Sequence, residues 1–254
     1  MRRTSRTAAL VLAGFLVFAQ AASAAELTVL VSGAFTEAYL KLVPEFERAT
    51  HNKIVTAYGA SMGDTPTSIP SRLKRGEPAD IVILAAAALD DLIKSGQVRP
   101  ESRTDLVRSS IGMVVRKGAP HPDIRSLEGL KRTLLAAKSI AYSDSASGVY
   151  LSTTLFPRLG IPASKGKKIA GEPVAAVVAR GEAELGFQQI SELLPVPGVD
   201  YVGPLPPGAQ QVTIFSAGVM KSSKNPDAAK ALINFLASST ARPAIIKSGL
   251  EPVP

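Results

Sequence analysis

From Leu27 onward, short apolar runs alternate with amphipathic stretches of helical period, and this alternation leaves few folds open to the chain. Leu27–Val31, Ile54–Tyr58 and Ile81–Leu84 have strand length and strand composition. Among them, Phe35–Ala49 places Tyr39, Leu42, Val43 and Phe46 on one helical face, Ile69–Lys74 is a short helix, and Ala86–Ser95 is a helix closed by Gly96. That order predicts a mainly parallel sheet covered on both faces. A second block begins near Ser109, with strands at Ile111–Val115, Ser139–Tyr142 and Leu185–Gln188 and helices at Leu127–Ala137, Gly148–Arg158 and Pro173–Ala179. Leu194–Gln210 reads as loop, since it holds five prolines and three glycines; Gln211–Met220 reads as a long strand and Asp227–Ala237 as a helix with Ala228, Ala231, Leu232 and Phe235 inward.

About 230 residues of this pattern exceed one comfortable α/β domain, yet no flexible linker divides them. The expectation is an α/β fold of two lobes with a ligand cleft between them. The chain crosses twice, near Arg108–Ser110 and near Gln210–Ser216. Lobe one then holds residues 25–108 and 215–254, and lobe two holds 109–214. No internal repeat of fixed period is evident.

Residues 1–24 read as an export leader. Arg2, Arg3 and Arg6 precede an apolar run, Ala8–Ala19, and Ala22-Ser23-Ala24 is a small-x-small cleavage site, which predicts a mature start at Ala25. The run is short for a membrane span. The Arg2-Arg3 pair hints at twin-arginine export, but the residues after it match poorly, so the general secretory route is preferred. A soluble periplasmic protein is expected. The chain has no cysteine, which closes lipid anchoring, disulfides, thiol catalysis and thiolate metal sites. His51 and His121 supply the imidazoles, both in predicted exposed loops, so neither a metal centre nor a histidine-based triad is expected, and no cofactor. The formal charge of +8 falls to about +5 without the leader's arginines. That suits a small anionic ligand; with 5% aromatics and no long basic run it does not suit nucleic acid.

In an open parallel sheet, ligands bind beyond the carboxyl ends of the strands. The residues at those ends share one chemistry. Ser32 and Gly33 follow the first strand, and Ser61-Met62-Gly63-Asp64-Thr65 the second. Ser143-Asp144-Ser145-Ala146-Ser147-Gly148 follows Tyr142, Glu172-Pro173-Val174 opens a helix, and Gln188 and Gln189 end the last strand of lobe two. Hydroxyls and free N–H groups at helix starts make anion seats. A serine at a helix start is equally the commonest N-cap, so each junction taken singly has a purely structural reading. Arg72 is the first choice for a ligand-binding cation because it follows the Ser61 turn; Arg116 and Arg180 come second. Asp80 and Asp90 are read as helix supports.

The export signal, the β/α order and these turns together resemble the periplasmic substrate-binding proteins of ABC transporters, and within them the molybdate-binding branch. The motifs that carry the resemblance are Leu30-Val-Ser32-Gly33-Ala34-Phe35, Glu45-Phe46-Glu47-Arg-Ala-Thr50 and Gly76-Glu77-Pro78-Ala79-Asp80-Ile81. The resemblance implies ligand contacts at Ser32, Ser61, Ser147 with its neighbours, and Val174. A tyrosine that commonly closes the oxyanion site is absent, Gln188 stands in that neighbourhood, and the Met62–Pro66 turn is longer and more acidic than an oxyanion loop. A narrower resemblance, to the aconitate isomerase family, fits these departures. It rests on Ser61–Pro66, Ile140–Ser152, Glu172-Pro173-Val174, Val178–Glu184 and Gly186-Phe187-Gln188-Gln189. It implies interconversion of cis- and trans-aconitate by a proton shift that needs no cofactor. The alternative is a transport receptor for molybdate, a related oxyanion or a small carboxylate, with an ABC permease as partner in that case alone. On the isomerase reading Asp64, Asp144 or Glu172 is the base, with Asp64 favoured and Glu172 second. Substrate contacts are expected from Ser32, Gly33, Ser61, Met62, Gly63, Thr65, Arg72, Ser145, Ser147, Gly148, Val174 and Gln188.

Overall fold

The computed structural model describes residues 24–253; the predicted leader, apart from Ala24, lies outside them. In chain order the first elements are β1 (Glu26–Val31), α1 (Gly33–Thr50), β2 (Lys53–Tyr58), α2 (Ile69–Lys74), β3 (Ile81–Ala85), α3 (Ala86–Lys94), β4 (Thr104–Ser109) and β5 (Ile111–Arg116). Then come α4 (Leu127–Ala136), β6 (Ile140–Ser143), α5 (Ala146–Tyr150), α6 (Phe156–Leu159), β7 (Gly166–Ile169), α7 (Val174–Ala179), β8 (Leu185–Gln189) and α8 (Ile190–Leu193). The chain ends with β9 (Val199–Pro204), β10 (Thr213–Val219), α9 (Pro226–Leu236), α10 (Arg242–Lys247) and β11 (Glu251–Pro252). A π-helical turn, Leu151–Leu155, joins α5 to α6, so the predicted Gly148–Arg158 helix is one continuous but locally widened rod.

Two sheets form, in the orders β11-β4-β10-β3-β1-β2 and β7-β6-β8-β5-β9. The predicted parallel pairing holds for β1 with β2 and β3, and for β6 with β7 and β8. Both sheets are nevertheless mixed. The strands that follow each crossing, β5 and β10, run against their neighbours. The first crossing is Ser110 alone, and the second is residues 205–212. Two glutamines hold them. The Gln210 side chain accepts from the Ile111 N–H at 2.8 Å and donates to the Ile111 carbonyl at 2.9 Å, as a neighbouring strand would. Gln189 accepts from the Ser109 hydroxyl at 2.8 Å and donates to Thr213 Oγ1 at 3.3 Å, so it ties both crossing segments to the end of β8.

Each sheet buries apolar layers on both faces, as its near-continuous hydrophobic strands require. On one face of the first sheet, Phe35, Tyr39, Leu42 and Phe46 of α1 pack with Leu232, Ile233 and Leu236 of α9; on the other, Leu89 and Leu92 of α3 cover Val82 and Leu84. In the second, Phe156 stacks edge-on with both Tyr142 and Phe187, while α7 covers the opposite face with Val174, Val177 and Val178. Short elements escape sequence periodicity. β9 lies inside the predicted loop because Gly203 and Pro204 interrupt its strand signal. It is the edge of its sheet, where a missing N–H costs no ladder bond. β4 is masked by Asp105 and Arg108, whose partners, Ser216, Arg103 and Glu251, come from distant parts of the chain or a neighbouring turn.

Asp80 braces strands rather than a helix. Its Oδ2 accepts the Thr28 N–H at 2.9 Å, its Oδ1 accepts the Ser223 hydroxyl at 2.5 Å, and its carbonyl accepts the Met220 N–H at 2.8 Å. Asp90 pairs with Arg103 at 2.9 Å. Replacing Asp80 by Ala leaves the Thr28 N–H without its partner in the packed edge of β1. We expect a loss of about 1–3 kcal/mol, read as a lower urea midpoint with an unchanged slope.

Candidate functional site

A cleft of about 590 Å³ opens at the carboxyl ends of β1, β2, β6, β7 and β8, between the two sheets. Its lining begins with the residues after β1. Ser32 sits at the N-cap of α1, yet its side chain makes no capping hydrogen bond. Instead the Ala85 N–H donates to Ser61 Oγ at 2.9 Å, and the Ser61 hydroxyl donates to Ser32 Oγ at 2.8 Å. This relay leaves the Ser32 hydroxyl proton for the cleft. Ser61 is fully buried beneath Ser32 and supports the lining without joining it. Across the cleft, Ser145 is the N-cap of α5 and likewise makes no capping bond, whereas Ser68 and Ser126 do cap α2 and α4. Both of the N-cap serines that line the cleft are thus released from capping. Ser147, behind Ser145, is buried and shares a 3.1 Å hydrogen bond with Ser143. A Cβ at Gly148 would overlap the Ser143 carbonyl, so this turn closes only around a glycine.

Among the expected contacts, Ser32, Gly33, Thr65, Ser145, Glu172 and Gln188 line the cleft. Met62, Gly63 and Asp64 lie outside the lining, and Gly63 and Asp64 are exposed. Gly63, at φ 88°, brings the turn up to Asp144, whose carbonyl would lie 3.4 Å from a Cβ there. Val174 is buried, and its N–H is spent on Gln188 Oε1 at 3.0 Å. Arg72 does not reach the ligand space: its guanidinium pairs with Glu77 at 2.7 Å and donates to the carbonyls of Thr67 and Tyr58, bracing the wall from behind. Arg180 is likewise committed, bonding both oxygens of Glu172 at 3.0 and 3.2 Å and Glu182 at 2.6 Å. Arg116 lies with His121 and Arg132 in a separate cavity, and His51 ends α1 in an exposed left-handed turn. Neither histidine lines the cleft.

Two carboxylic acids stand out in the lining. Glu192, in the short helix α8, turns its carboxylate toward Gly33 at the start of α1, so closely that a Cβ on Gly33 would overlap its Oε1. Gln188 Nε2 donates to Glu192 Oε1 at 2.9 Å, and the Val174 N–H fixes which way that amide faces. Burial pushes the Glu192 carboxyl up to about 7; the Gln188 hydrogen bond opposes the rise and the charge of Asp144 adds to it. Asp144 is also raised, chiefly by burial, with its own backbone N–H and Lys168 opposing and Asp64 adding. Its Oδ2 is buried and has no hydrogen-bond partner among the described residues. Glu37 and Glu172 complete the acids, and among the described residues no lysine or arginine lines the cleft. Glu192 escapes the sequence reading because α8 is only four residues long, too short for a helical period; the signal is the i, i+4 pair Gln188 and Glu192 across a strand-to-helix turn. Among the described residues no helix is long and apolar enough to cross a membrane.

A family model for bacterial extracellular solute-binding proteins matches residues 27–251. An aconitate isomerase from a Pseudomonas species is 53% identical over 231 residues, covering 90% of this chain and 88% of that protein. The periplasmic molybdate-binding protein of Azotobacter vinelandii superposes with a TM-score of 0.71 at 18% identity, over 90% of this chain and 99% of that one. A sulfate-binding protein from Mycobacterium tuberculosis does so with a TM-score of 0.70 at 19% identity, over 90% and 87%. These two likenesses show the fold: a two-lobe binding-protein architecture with its cleft between the sheets.

The raised Glu192 carboxyl makes stability depend on pH. The folded state holds its proton more tightly than the unfolded chain. The resulting stabilisation is therefore full below the ordinary value of 4.5 and is lost as pH rises through about 7. Relative to Glu192→Gln, which cannot ionise, the unchanged protein should lose up to about 1.4 kcal/mol per pH unit across that window. Urea unfolding of both proteins at pH 5 and pH 8 measures it; parallel pH dependences would contradict it.

Proposed function

The chain belongs to the bacterial extracellular solute-binding protein family, and on that footing we propose that it is an exported isomerase that interconverts cis- and trans-aconitate by a 1,3-proton shift. Identity of 53% to an aconitate isomerase over most of both chains supports the substrate. One observation carries the reading from binding to chemistry. Glu192, a carboxyl that changes charge near neutral pH, lines the cleft, is held by Gln188 and faces the start of α1. A general base works best when its pKa lies near the working pH. Glu192 replaces Asp64 and Glu172 in that role, because Asp64 is exposed outside the lining and Glu172 is bound through both oxygens by Arg180.

The substrate is a small tricarboxylate that reaches the cleft in the periplasm, after removal of the leader. The Glu192 carboxylate takes a proton from the methylene carbon, and the C–H pair spreads over the allylic system onto a substrate carboxylate. The Ser32 hydroxyl, aimed by Ser61, and the first N–H groups of α1 and α5 are suited to receive that extra charge, because they are oriented before the reaction begins. A proton added at the far carbon yields the other isomer. Because the double bond shifts in the allylic intermediate, no hydride or redox partner enters the balance.

The second reading is a receptor that only binds, feeding a permease; the shared fold favours it. Incubating the purified protein with cis-aconitate and following trans-aconitate by chromatography separates the two. Glu192→Gln should lower turnover by roughly 10²-fold or more while binding stays within about tenfold; Asp64→Asn should keep turnover within about threefold. Tight molybdate binding with no response to aconitate would reject the isomerase.

A further inference from the structure

Glu192 is held by one of its two oxygens. Its Oε1 accepts from Gln188 Nε2 at 2.9 Å and lies so close to Gly33 that a Cβ there would overlap it. Its Oε2 has no hydrogen-bond partner among the described residues, yet it is not occluded, unlike Asp144 Oδ2. Glu192 lines the cleft and keeps part of its surface open, so Oε2 is the oxygen that a ligand can reach. Resting on the isomerase reading, we propose that Gln188 is a positioning residue for the proton transfer: it commits Oε1 of Glu192 and leaves Oε2 as the atom that takes the proton from the substrate.

A glutamine amide can face either way, and here the backbone decides. The Val174 N–H can only donate, so the Gln188 carbonyl oxygen turns to it, at 3.0 Å, and the NH2 group points to Glu192. Both anchors are well packed. Val174 is fully buried at the first turn of α7, and Gln188 is buried in β8, the central strand of its sheet. A donor on Oε1 draws electron density to that oxygen and fixes the carboxylate plane, so the unbonded Oε2 is left to accept a proton.

The groups facing Glu192 fit this division. To the same cleft α1 brings Glu37, the turn after β6 brings Asp144 and the loop after β7 brings Glu172, while β5 and α7 pack on α8 with apolar side chains. Burial and the charge of Asp144 both favour the protonated form of Glu192, and the Gln188 bond is what favours the ionised form. When the methylene C–H bond breaks, its proton bonds to Oε2, its electron pair enters the allylic system, and the Gln188 bond to Oε1 stays in place.

The unchanged protein without ligand tests the choice of oxygen. Nuclear magnetic resonance of the Gln188 side-chain amide, assigned by its loss in Gln188→Met, follows the titration of Glu192. The resonance should shift with a midpoint at about 7, and its hydrogens should be as protected from exchange with water at pH 5 as at pH 8, because Oε1 still accepts when the proton is on Oε2. Protection that disappears as Glu192 takes up its proton would place that proton on Oε1 and overturn the assignment. Gln188→Met, which fills the same space without a donor, tests the positioning role. The acid limb of its kcat/KM profile with cis-aconitate should move up by about one pH unit, so that kcat/KM falls about tenfold on the acid side and stays within about threefold on the alkaline side. An equal loss at every pH would mean that Gln188 only supports the fold, and would overturn the proposal. If Gln188→Met does not fold, amide exchange in the unchanged protein decides alone. Absence of turnover in the unchanged protein would sink the isomerase reading, whereas turnover with an unmoved acid limb in Gln188→Met would sink this inference alone.

Discussion

The contact between the Glu192 carboxylate and Gly33 joins the two halves of the molecule in the lining of the cleft. It works only because Gly33 has no side chain: a Cβ there would occupy the position of Glu192 Oε1. Beside it, the Ser191 hydroxyl donates to the Ala34 carbonyl at 2.7 Å, so consecutive residues of α8 press against the first turn of α1. A carboxyl in that position is stripped of water by protein on several sides, and this desolvation, more than any neighbouring charge, brings its titration near neutrality. The rest of the cleft follows from the same approach, since the N-termini of α1 and α5 then face one shared space.

That space is lined by hydroxyls, helix starts and carboxylic acids, while its nearby arginines are occupied elsewhere. Arg72 and Arg75 share Glu77, and Arg180 bridges Glu172 and Glu182. These pairs stiffen the rim. A cation inside the lining would hold a carboxylate ligand firmly in its ground state. Dipoles aimed at where charge develops favour the reacting state instead. The serines make the same distinction. Serine at a helix start ordinarily spends its oxygen on its own helix, as Ser68 and Ser126 do, but Ser32 and Ser145 do not, and Ser32 is supported from below by Ser61.

The two crossings between the sheets are short and tightly hydrogen-bonded. Ser110 alone connects β4 to β5, and Gln189 and Gln210 satisfy the backbone and hydroxyl groups that the two crossings expose. Gln188 and Gln189 follow each other at the end of β8 and serve different tasks. One fixes the Glu192 carboxyl and the other fixes the crossings, because successive residues of a strand point to opposite faces.

The sequence by itself determined the α/β alternation, the strand cores and the polar character of the strand ends, because hydrophobic periodicity and turn chemistry are local properties that each segment carries wherever it lies. Ser32, Gly33, Thr65, Ser145, Glu172 and Gln188 were legible on that basis, since a residue just beyond a parallel strand faces the binding edge whatever its partners are. The tertiary structure alone decided which acids are buried, which arginines are occupied and which strands run antiparallel. Asp64 and Glu192 are chemically alike in the sequence. One lies exposed on a turn and the other is pressed against a glycine more than 150 residues away, and only packing between distant segments sets the solvation on which a carboxyl's proton affinity depends.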